Sequence, residues 1–177
     1  MKTSVFIATS LDGFIARSDG SLDWLMEATP VDGDHGYEQF MAGIDVVVMG
    51  RNTFETVLGF DDWPYEGKRV VILSRTLNEI PRSLQGKVQL HRGPVRSLYD
   101  TLVGAGCQGL YIDGGLTVQS FLRENLVDEL TITRIPVLLG DGLPLFGHLG
   151  RDLALRHIST RPLAGGLVQS TYTTRLS

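Results

Sequence analysis

Three short turns in the sequence carry residue types that bind anions. Gly50-Arg51-Asn52-Thr53 follows the apolar run Val46–Met49, Ser74-Arg75 follows a second apolar run, and Asp113-Gly114-Gly115 follows a third. A strand that passes through glycine into a helix leaves backbone N–H groups free at the positive end of the helix dipole, where phosphates bind. Guanidinium and hydroxyl groups in the first two turns would add further donors. Each turn taken singly is also compatible with an ordinary strand end, but together they predict a site for a phosphorylated ligand.

The arrangement of these anion sites favours one class of ligand. The two turns that open helices would hold a pyrophosphate, and Ser74-Arg75 would hold a further phosphate some distance away, which matches NADPH. The Rossmann fingerprint is not involved, because no G-x-G-x-x-G sequence opens the first helix. The sequence therefore predicts an NADPH site of another architecture.

The elements that would position the three turns alternate between strand and helix patterns. The predicted strands are 5–8, 46–49, 70–73, 88–90, 110–112, 130–137, 153–160 and 167–175, and the predicted helices are 34–42, 52–58, 94–103 and one after residue 115. This alternation implies a mainly parallel sheet covered on both faces, and right-handed crossovers bring the turns to one carboxyl edge. The last two strands predict an antiparallel hairpin. Residues 17–30 and 138–150 are predicted as loops, the first anchored by Leu22, Trp24 and Leu25.

Composition narrows the class of protein. With 177 residues, of which 42% are hydrophobic and 20% charged, the chain fits one globular domain over 1–177. The net charge of -4 argues against a nucleic-acid partner, and no apolar run is long enough for a membrane helix. The single cysteine, Cys107, excludes an internal disulfide, and the four histidines lack metal-ligand spacing. With no signal-peptide pattern at the N-terminus, we expect a soluble, cytoplasmic protein without a metal.

Six short motifs extend over nearly the whole chain. They are Ser10–Ala16, Val48–Glu55, Val71–Arg75, Asp113–Gly115, Leu126–Leu130 and Pro136–Gly142. In order and spacing they resemble the dihydrofolate reductase-like superfamily, and most closely the reductase domain of the bifunctional deaminase-reductase of riboflavin synthesis. The resemblance implies a three-layer α/β fold with a mostly parallel central sheet of about eight strands and a C-terminal antiparallel hairpin.

The resemblance also implies a set of cofactor-binding positions. Ala8 and Ile15 would hold the nicotinamide, Arg51–Thr53 would meet the pyrophosphate, and Ser74-Arg75 would bind the 2′-phosphate. Gly114–Val118 would line the other side of the pyrophosphate, with a cis bond between the two glycines. With Arg92 beside the adenine, the full set is Ala8, Ile15, Gly50, Arg51, Asn52, Thr53, Leu73, Ser74, Arg75, Arg92, Asp113, Gly114, Gly115, Leu116, Thr117 and Val118.

The implied reaction is hydride transfer from NADPH to a pyrimidine- or pterin-like heterocycle. It is similar to that of the 5-amino-6-(5-phosphoribosylamino)uracil reductase of riboflavin biosynthesis, although the chain has no deaminase half and no zinc motif for one. A dihydrofolate or pterin reductase is the alternative enzyme. A nucleotide-binding module without catalysis is the alternative outside enzymes. The resemblance further implies a homodimer, and a loop from Asp12 to Trp24 that closes over the site.

Two carboxylates are candidates for assisting protonation of the acceptor. Asp34 matches the position of the carboxylate on the first helix of folate reductases, but Asp is also a preferred N-cap residue. Asp12 lies beside the expected nicotinamide site, but an Asp before Gly13 is also a common turn former. Trp63-Pro64-Tyr65 would border the substrate pocket or a partner subunit, or would pack in the core. The sequence leaves these alternatives open.

Overall fold

The computed structural model describes residues 1–28 and 34–175, which form ten strands and five α-helices. The strands are β1 (Lys2–Thr9), β2 (Phe14–Ala16), β3 (Val46–Gly50), β4 (Arg69–Leu73), β5 (Val88–His91), β6 (Gly109–Asp113), β7 (Glu129–Arg134), β8 (Leu143–Pro144), β9 (Arg156–Pro162) and β10 (Val168–Thr173). The helices are α1 (Asp23–Ala28), α2 (Tyr37–Ala42), α3 (Arg51–Val57), α4 (Val95–Gly104) and α5 (Gly115–Arg123). Two 3₁₀ turns lie at Arg82–Leu84 and Ala164–Gly166.

Eight of the strands form one sheet in the order β5-β4-β3-β6-β1-β7-β10-β9. In this order, the first six strands of the sheet, β5-β4-β3-β6-β1-β7, are paired in parallel. Strand β10 pairs antiparallel with both β7 and β9. The predicted parallel sheet with a C-terminal antiparallel hairpin is therefore confirmed. Because β3 lies between β4 and β6, the ends of these three strands are neighbours at the carboxyl edge.

The sheet is covered by helices on both faces, as strand β3 shows. All four residues from Val46 to Met49 are fully buried, which is the pattern of a strand with no solvent-facing side. Alternate residues enter different clusters, because successive side chains point to opposite faces. Val46 and Val48 pack with the apolar faces of α4 and α5, and Val47 and Met49 pack with α2 and α3. The fold is thus a three-layer α/β sandwich.

Two predicted loops contain regular structure. The first includes helix α1, whose Trp24 is 3% exposed and packs with Ile135 and Leu167; the remainder of that prediction, residues 29 and 30, lies outside the described residues. The second includes β8, which pairs with β2 to form a small separate sheet. Both elements are short, and the segments that contain them are rich in Gly, Pro and Asp, which favours the prediction of a loop. Predicted strand 130–137 is shorter in the structure, because β7 ends at Arg134. Predicted strands 153–160 and 167–175 correspond to β9 and β10, which begin at Arg156 and end at Thr173.

Two kinds of feature are absent from the part of the chain that the structure describes. Over residues 1–28 and 34–175, no helix has the length and apolar character needed to cross a membrane. In the same described residues, no group of three or more His, Cys, Asp or Glu side chains is arranged to hold a metal ion.

Candidate active site

The three turns predicted from the sequence lie together at the carboxyl edge of the sheet. Strand β3 ends at Gly50, β4 ends at Leu73 and β6 ends at Asp113, and helices α3 and α5 begin directly after the first and third of these. Between them lies a cleft of about 540 Å³, large enough for a substantial part of a dinucleotide. Its lining residues are Ile15, Gly50, Arg51, Asn52, Thr53, Leu73, Ser74, Arg75, His91, Arg92, Gly93, Val95, Gly114, Gly115, Leu116, Thr117, Gln119, Ser120, Leu143, Pro144 and Gly147.

Glycines allow the two helix-opening turns to approach each other closely. Gly114 has φ 86°, in the region that favours glycine, and a Cβ atom there would collide with the side chain of Thr53. A Cβ atom on Gly115 would lie 2.8 Å from the carbonyl oxygen of Pro144. The prediction of a cis bond between Gly114 and Gly115 is wrong, because the described residues contain no cis peptide bond. The positive φ at Gly114 makes the sharp turn instead.

Arg75 is the most available cation of the cleft. Its side chain is exposed and has no hydrogen-bond or ion-pair partner among the residues that the structure describes. The loop that carries it is fixed from both sides: Arg92 donates to the carbonyl oxygens of Arg75 at 3.1 Å and Leu77 at 2.9 Å, and the Ser74 hydroxyl accepts from the Leu77 amide at 2.9 Å. A guanidinium held on a fixed loop is well suited to bind a phosphate group.

Arg51 supplies a second cation at the start of α3. Its Nε lies 3.7 Å from Oε1 of Glu55 one helical turn later, in an exposed pair whose side chains are 46% and 56% accessible. Exposed pairs of this kind contribute little to stability, so an anionic ligand can compete for the guanidinium at small cost. The cleft thus combines exposed cations with backbone that a ligand can approach closely.

A second cavity of about 650 Å³ opens beside the cleft. The two share Ile15, Asn52, Thr53, Gly114 and Leu143, which therefore form the junction between them. The other lining residues of the second cavity are Ile7, Ala8, Ala16, Ser18, Asp19, Gly20, Leu22, Leu25, Glu55, Thr56, Val57, Phe60, Tyr65 and Asp113. One end of a ligand in the cleft would meet a second molecule at this junction.

Asp113 and Tyr65 form a hydrogen-bonded pair in the wall of the second cavity. The Tyr65 hydroxyl donates to Oδ2 of Asp113 at 2.8 Å. Burial raises the pKa of the Asp113 carboxyl above its ordinary value, and the hydrogen bond from Tyr65 only partly opposes this rise. Burial is the main cause that raises the pKa of the Tyr65 phenol, and the nearby Asp113 carboxylate is the second. The same two causes raise the pKa of Tyr37 to about 12. A carboxyl with a raised pKa in a cavity wall is suited to exchange a proton with a ligand.

The two carboxylates proposed from the sequence as proton suppliers lie elsewhere. Asp12 accepts from the Ser10 hydroxyl at 2.6 Å and from the amide of Gly140 at 2.8 Å, and the hydrogen bond from Ser10 is the main cause that lowers its pKa. Asp34 accepts from the amides of Gly36 and Glu38 at 2.9 and 2.7 Å, which lower its pKa. Neither residue lines the cleft or the second cavity. Both carboxylates tie down loop or helix-start backbone, which is the alternative that the sequence left open.

Most of the predicted cofactor-binding residues line the cleft, and three lie elsewhere. Ala8 and Asp113 belong to the second cavity. The prediction for Val118 is corrected, because this residue is fully buried and packs in the core between α5 and the sheet. Helical periodicity gives the reason: Val118 lies on the apolar face of α5 with Phe121 and Leu122.

Sequence reasoning missed several residues of the site. The amide group of Gln119 donates to the carbonyl oxygens of Pro144 at 3.3 Å and Leu145 at 3.2 Å, which fixes the β8 segment against the cleft. No sequence signal connects these positions, because they are separated by 25 residues or more. Tyr65, for which the sequence left open the substrate pocket, a partner subunit or the core, is 4% exposed, packs in the core and also lines the second cavity.

Comparisons with known proteins agree with this architecture. The family model of the RibD C-terminal domain matches residues 2–169. The uncharacterized protein YwjB of Bacillus subtilis is 37% identical over 174 residues, covering 97% of each protein. A crystal structure from Shewanella sp. PV-4, described as a "putative riboflavin biosynthesis protein", is 47% identical with a TM-score of 0.92 and 98% coverage of both chains. The deaminase/5-amino-6-(5-phosphoribosylamino)uracil reductase of Thermotoga maritima shares the fold at 14% identity, with a TM-score of 0.70 over 97% of this chain and 56% of that one.

Proposed function

We propose that the chain, which belongs to the RibD C-terminal domain family, is an NADPH-dependent reductase that transfers hydride to a pyrimidine- or pterin-like heterocycle. The observation that carries the proposal is the junction between the two cavities. A cleft with exposed guanidinium groups meets, at Ile15, Thr53 and Gly114, a second cavity whose wall holds the Asp113 carboxyl. That arrangement suits a reaction between a phosphorylated cofactor and a separate acceptor.

The residues of the cleft fit the cofactor in charge and shape. Arg75 and Ser74 would bind the 2′-phosphate, and Arg51 with the backbone at the start of α5 would bind the pyrophosphate. The glycines at 114 and 115 let the start of α5 lie close to Thr53 and Pro144, since a Cβ atom at either position would meet these residues at less than contact distance. When bound, NADPH supplies a hydride, and the protein's part is to hold the nicotinamide end at the junction and exclude water.

The acceptor also needs a proton, and Asp113 is the group we propose to supply it. Its carboxyl lies in the wall of the cavity that would hold the acceptor, and its raised pKa increases the fraction that carries a proton near neutral pH. Tyr65 orients the carboxyl through its hydrogen bond at 2.8 Å. Asp113 takes over the role that the sequence gave to Asp12 or Asp34, since neither of those lines the cavity.

A cofactor assay separates the proposal from its alternatives. Purified protein is titrated with NADPH, and NADPH oxidation is then followed by absorbance with ribosylaminopyrimidines, dihydropterins and dihydrofolate as acceptors. The proposal expects NADPH binding together with oxidation on a pyrimidine or pterin acceptor. Turnover on dihydrofolate alone would identify the folate-reductase alternative. Binding without turnover on any acceptor would favour the non-catalytic module, and absence of NADPH binding would overturn the proposal.

We also propose that the protein is cytoplasmic and that it acts as a homodimer, the latter as the family resemblance implies. The outermost strand β9 is exposed along its whole length and includes Ile158, which is 46% accessible. Exposed edge strands with apolar side chains tend to pair with another chain, which supports a dimer through this edge. Light scattering on the purified protein tests the dimer, with a monomeric mass as the contradicting result.

A further inference from the structure

The second cavity has a charge character opposite to that of the cleft. Its lining includes three acidic residues, Asp19, Glu55 and Asp113. Across the described residues, no Lys, Arg or His lines it. By contrast, Arg51, Arg75, Arg92 and His91 all line the cleft. The two adjoining cavities therefore offer different electrostatic environments to their ligands.

Asp19 and Glu55 form the acidic rim of the cavity. The basic residue nearest to this rim in the sequence, Arg17, already forms an ion pair with another residue. Arg17 donates from Nε to Oδ1 of Asp23 at 2.7 Å, and it is not among the residues that line the cavity. Between Arg17 and His35 the sequence contains no other Lys, Arg or His. Arg51 pairs with Glu55, but its side chain belongs to the cleft. The guanidinium groups near Asp19 and Glu55 thus lie outside the cavity lining, and an acceptor bound in the cavity would face carboxylates rather than cations.

A phosphate group would be poorly accommodated in such a cavity. Phosphate recognition in proteins depends on guanidinium or ammonium groups, or on free N–H groups at helix N-termini. Helix α1 begins with an acidic residue, Asp23, and the N-termini of α3 and α5 line the cleft that would hold the cofactor, α3 at the junction with the cavity. A phosphate carries close to two negative charges at neutral pH, so the carboxylates of Asp19 and Glu55 would repel it.

The remaining lining suits a flat, largely apolar ring. Ile7, Leu22 and Phe60 provide apolar surface, and the Phe60 side chain is 49% exposed and free to contact a ligand face. Asp113, Ser18 and Thr56 are among the polar residues that add hydrogen-bonding groups to the lining. Apolar surface combined with polar groups that fix the orientation of a ligand is typical of sites for small molecules.

Resting on the proposed reductase function, we propose that the acceptor of this protein is a flat heterocycle that carries no phosphate and is either uncharged or cationic. The acceptor would thus differ from the phosphoribosylamino compound named for the Thermotoga maritima enzyme, which shares the fold at 14% identity. The cofactor side of the site would retain its phosphate-binding character, while the acceptor side selects against phosphate.

The test compares acceptors that differ only by a phosphate. The probes are 5-amino-6-ribosylaminouracil with and without its 5′-phosphate, and a hydroxymethyl dihydropterin with and without its phosphate. Binding to the full-length protein is measured by calorimetry, with and without saturating NADP⁺. At low ionic strength the unphosphorylated member of at least one pair is expected to bind about tenfold or more tightly than its phosphate. Equal or tighter binding of the phosphorylated member in both pairs, or no binding by any probe, would overturn the inference.

Neutral variants of the rim test the cause of the discrimination. In the double variant Asp19→Asn, Glu55→Gln, the ratio of affinities between the unphosphorylated and the phosphorylated probe should shrink by at least about threefold. In the wild type, raising the salt concentration should also shrink this ratio. Glu79→Gln, which removes an exposed carboxylate that lines neither cavity, is the matched control and should keep the full difference. Unchanged discrimination in the double variant would show that the rim charges do not select the acceptor.

The outcomes keep the two proposals apart. If NADPH does not bind, the proposed function fails. The affinities of the phosphorylated and unphosphorylated probes can still be compared in the titrations without cofactor. If NADPH binds and is oxidised but the phosphorylated acceptors are preferred, only the inference about the acceptor fails.

Discussion

The cleft and the second cavity lie side by side and share five residues, yet they are built differently. The cleft is formed by backbone turns at the ends of three neighbouring parallel strands, with guanidinium groups on its walls. The cavity is formed by β1, the segment from Ser18 to Leu25, one side of α3 and the Asp113–Tyr65 pair, with acids as its ionisable groups. The contrast indicates that the fold itself sets the half of the site that we propose for the cofactor, whereas loops and side chains set the half that we propose for the acceptor.

Asp113→Asn should have the largest effect, because it removes the proton donor that we propose for the acceptor side. Turnover is expected to fall by about 10²- to 10⁴-fold, while NADPH affinity stays within about twofold of the wild type. The raised pKa of Asp113 means that the carboxyl is protonated below that pKa and loses its proton above it. Wild-type kcat should therefore decline as pH rises through the raised pKa, and steady-state rates across pH should show this decline vanish in the variant.

The control for that experiment is Tyr65→Phe, which keeps the ring but removes the hydrogen bond to Asp113. Because that hydrogen bond opposes the rise in the pKa of Asp113, the variant should move the decline of kcat to higher pH. A pH profile of Asp113→Asn identical to that of the wild type would remove Asp113 from the proton-transfer step.

Gly114→Ala should disrupt the cofactor side. The new Cβ atom would collide with the Thr53 side chain, so the two turns would move apart, and we expect NADPH affinity to fall by about 100-fold. Gly106→Ala is a matched control, since Gly106 also has a positive φ, of 77°, but a Cβ atom added there would meet no other atom within 4 Å. Both variants should lose stability from backbone strain, and only the first should lose affinity when NADPH binding is titrated. Equal affinities in the two variants would contradict the close approach of the turns as a requirement for binding.

Arg75→Ala should affect one cofactor more than the other. If the guanidinium binds the 2′-phosphate, NADPH affinity should fall by roughly 10- to 100-fold, the effect of losing a hydrogen bond to a charged group, while NADH affinity should hardly change. Parallel titrations with the two cofactors measure the ratio. An equal loss for both would assign Arg75 to another part of the ligand.

Asp34→Asn should have the smallest effect on turnover, with kcat within about twofold of the wild type, because Asp34 lies outside both cavities. Its effect should be on stability instead. The amides of Gly36 and Glu38 lower the pKa of Asp34 in the folded state, so its contribution is present above the unfolded pKa and is lost as pH falls through the lowered one. Thermal unfolding at several pH values should show a deficit near neutral pH that narrows in acid. A large loss of kcat would restore the catalytic role.

The cleft at the carboxyl edge of the sheet could be predicted from the sequence because each part of it is local. A buried strand, a glycine and a helix start occupy adjacent positions, as in the run from Val46 through Thr53, so the chemistry and its location are read together. Parallel pairing then brings the separate turns to one edge without any further information. The three-layer fold with its C-terminal hairpin was predictable for the same reason.

The second cavity could not be predicted, because its parts are distant in sequence. Tyr65 and Asp113 are 48 residues apart, and nothing in either local pattern indicates their hydrogen bond. Asp12 and Asp34 have sequence contexts that fit both a catalytic and a structural role, and the amides that they contact favour the structural role. Helix α1 was missed because six residues in a polar stretch give too short a periodic signal.

The most direct test of the account is a crystal structure of the protein with NADPH bound. We predict that the 2′-phosphate contacts Ser74 and Arg75, that the pyrophosphate lies between the starts of α3 and α5, and that the nicotinamide ring reaches the junction at Ile15, Thr53 and Gly114, facing the cavity that contains Asp113. A cofactor bound outside the cleft, or bound with its nicotinamide turned away from that junction, would contradict the account.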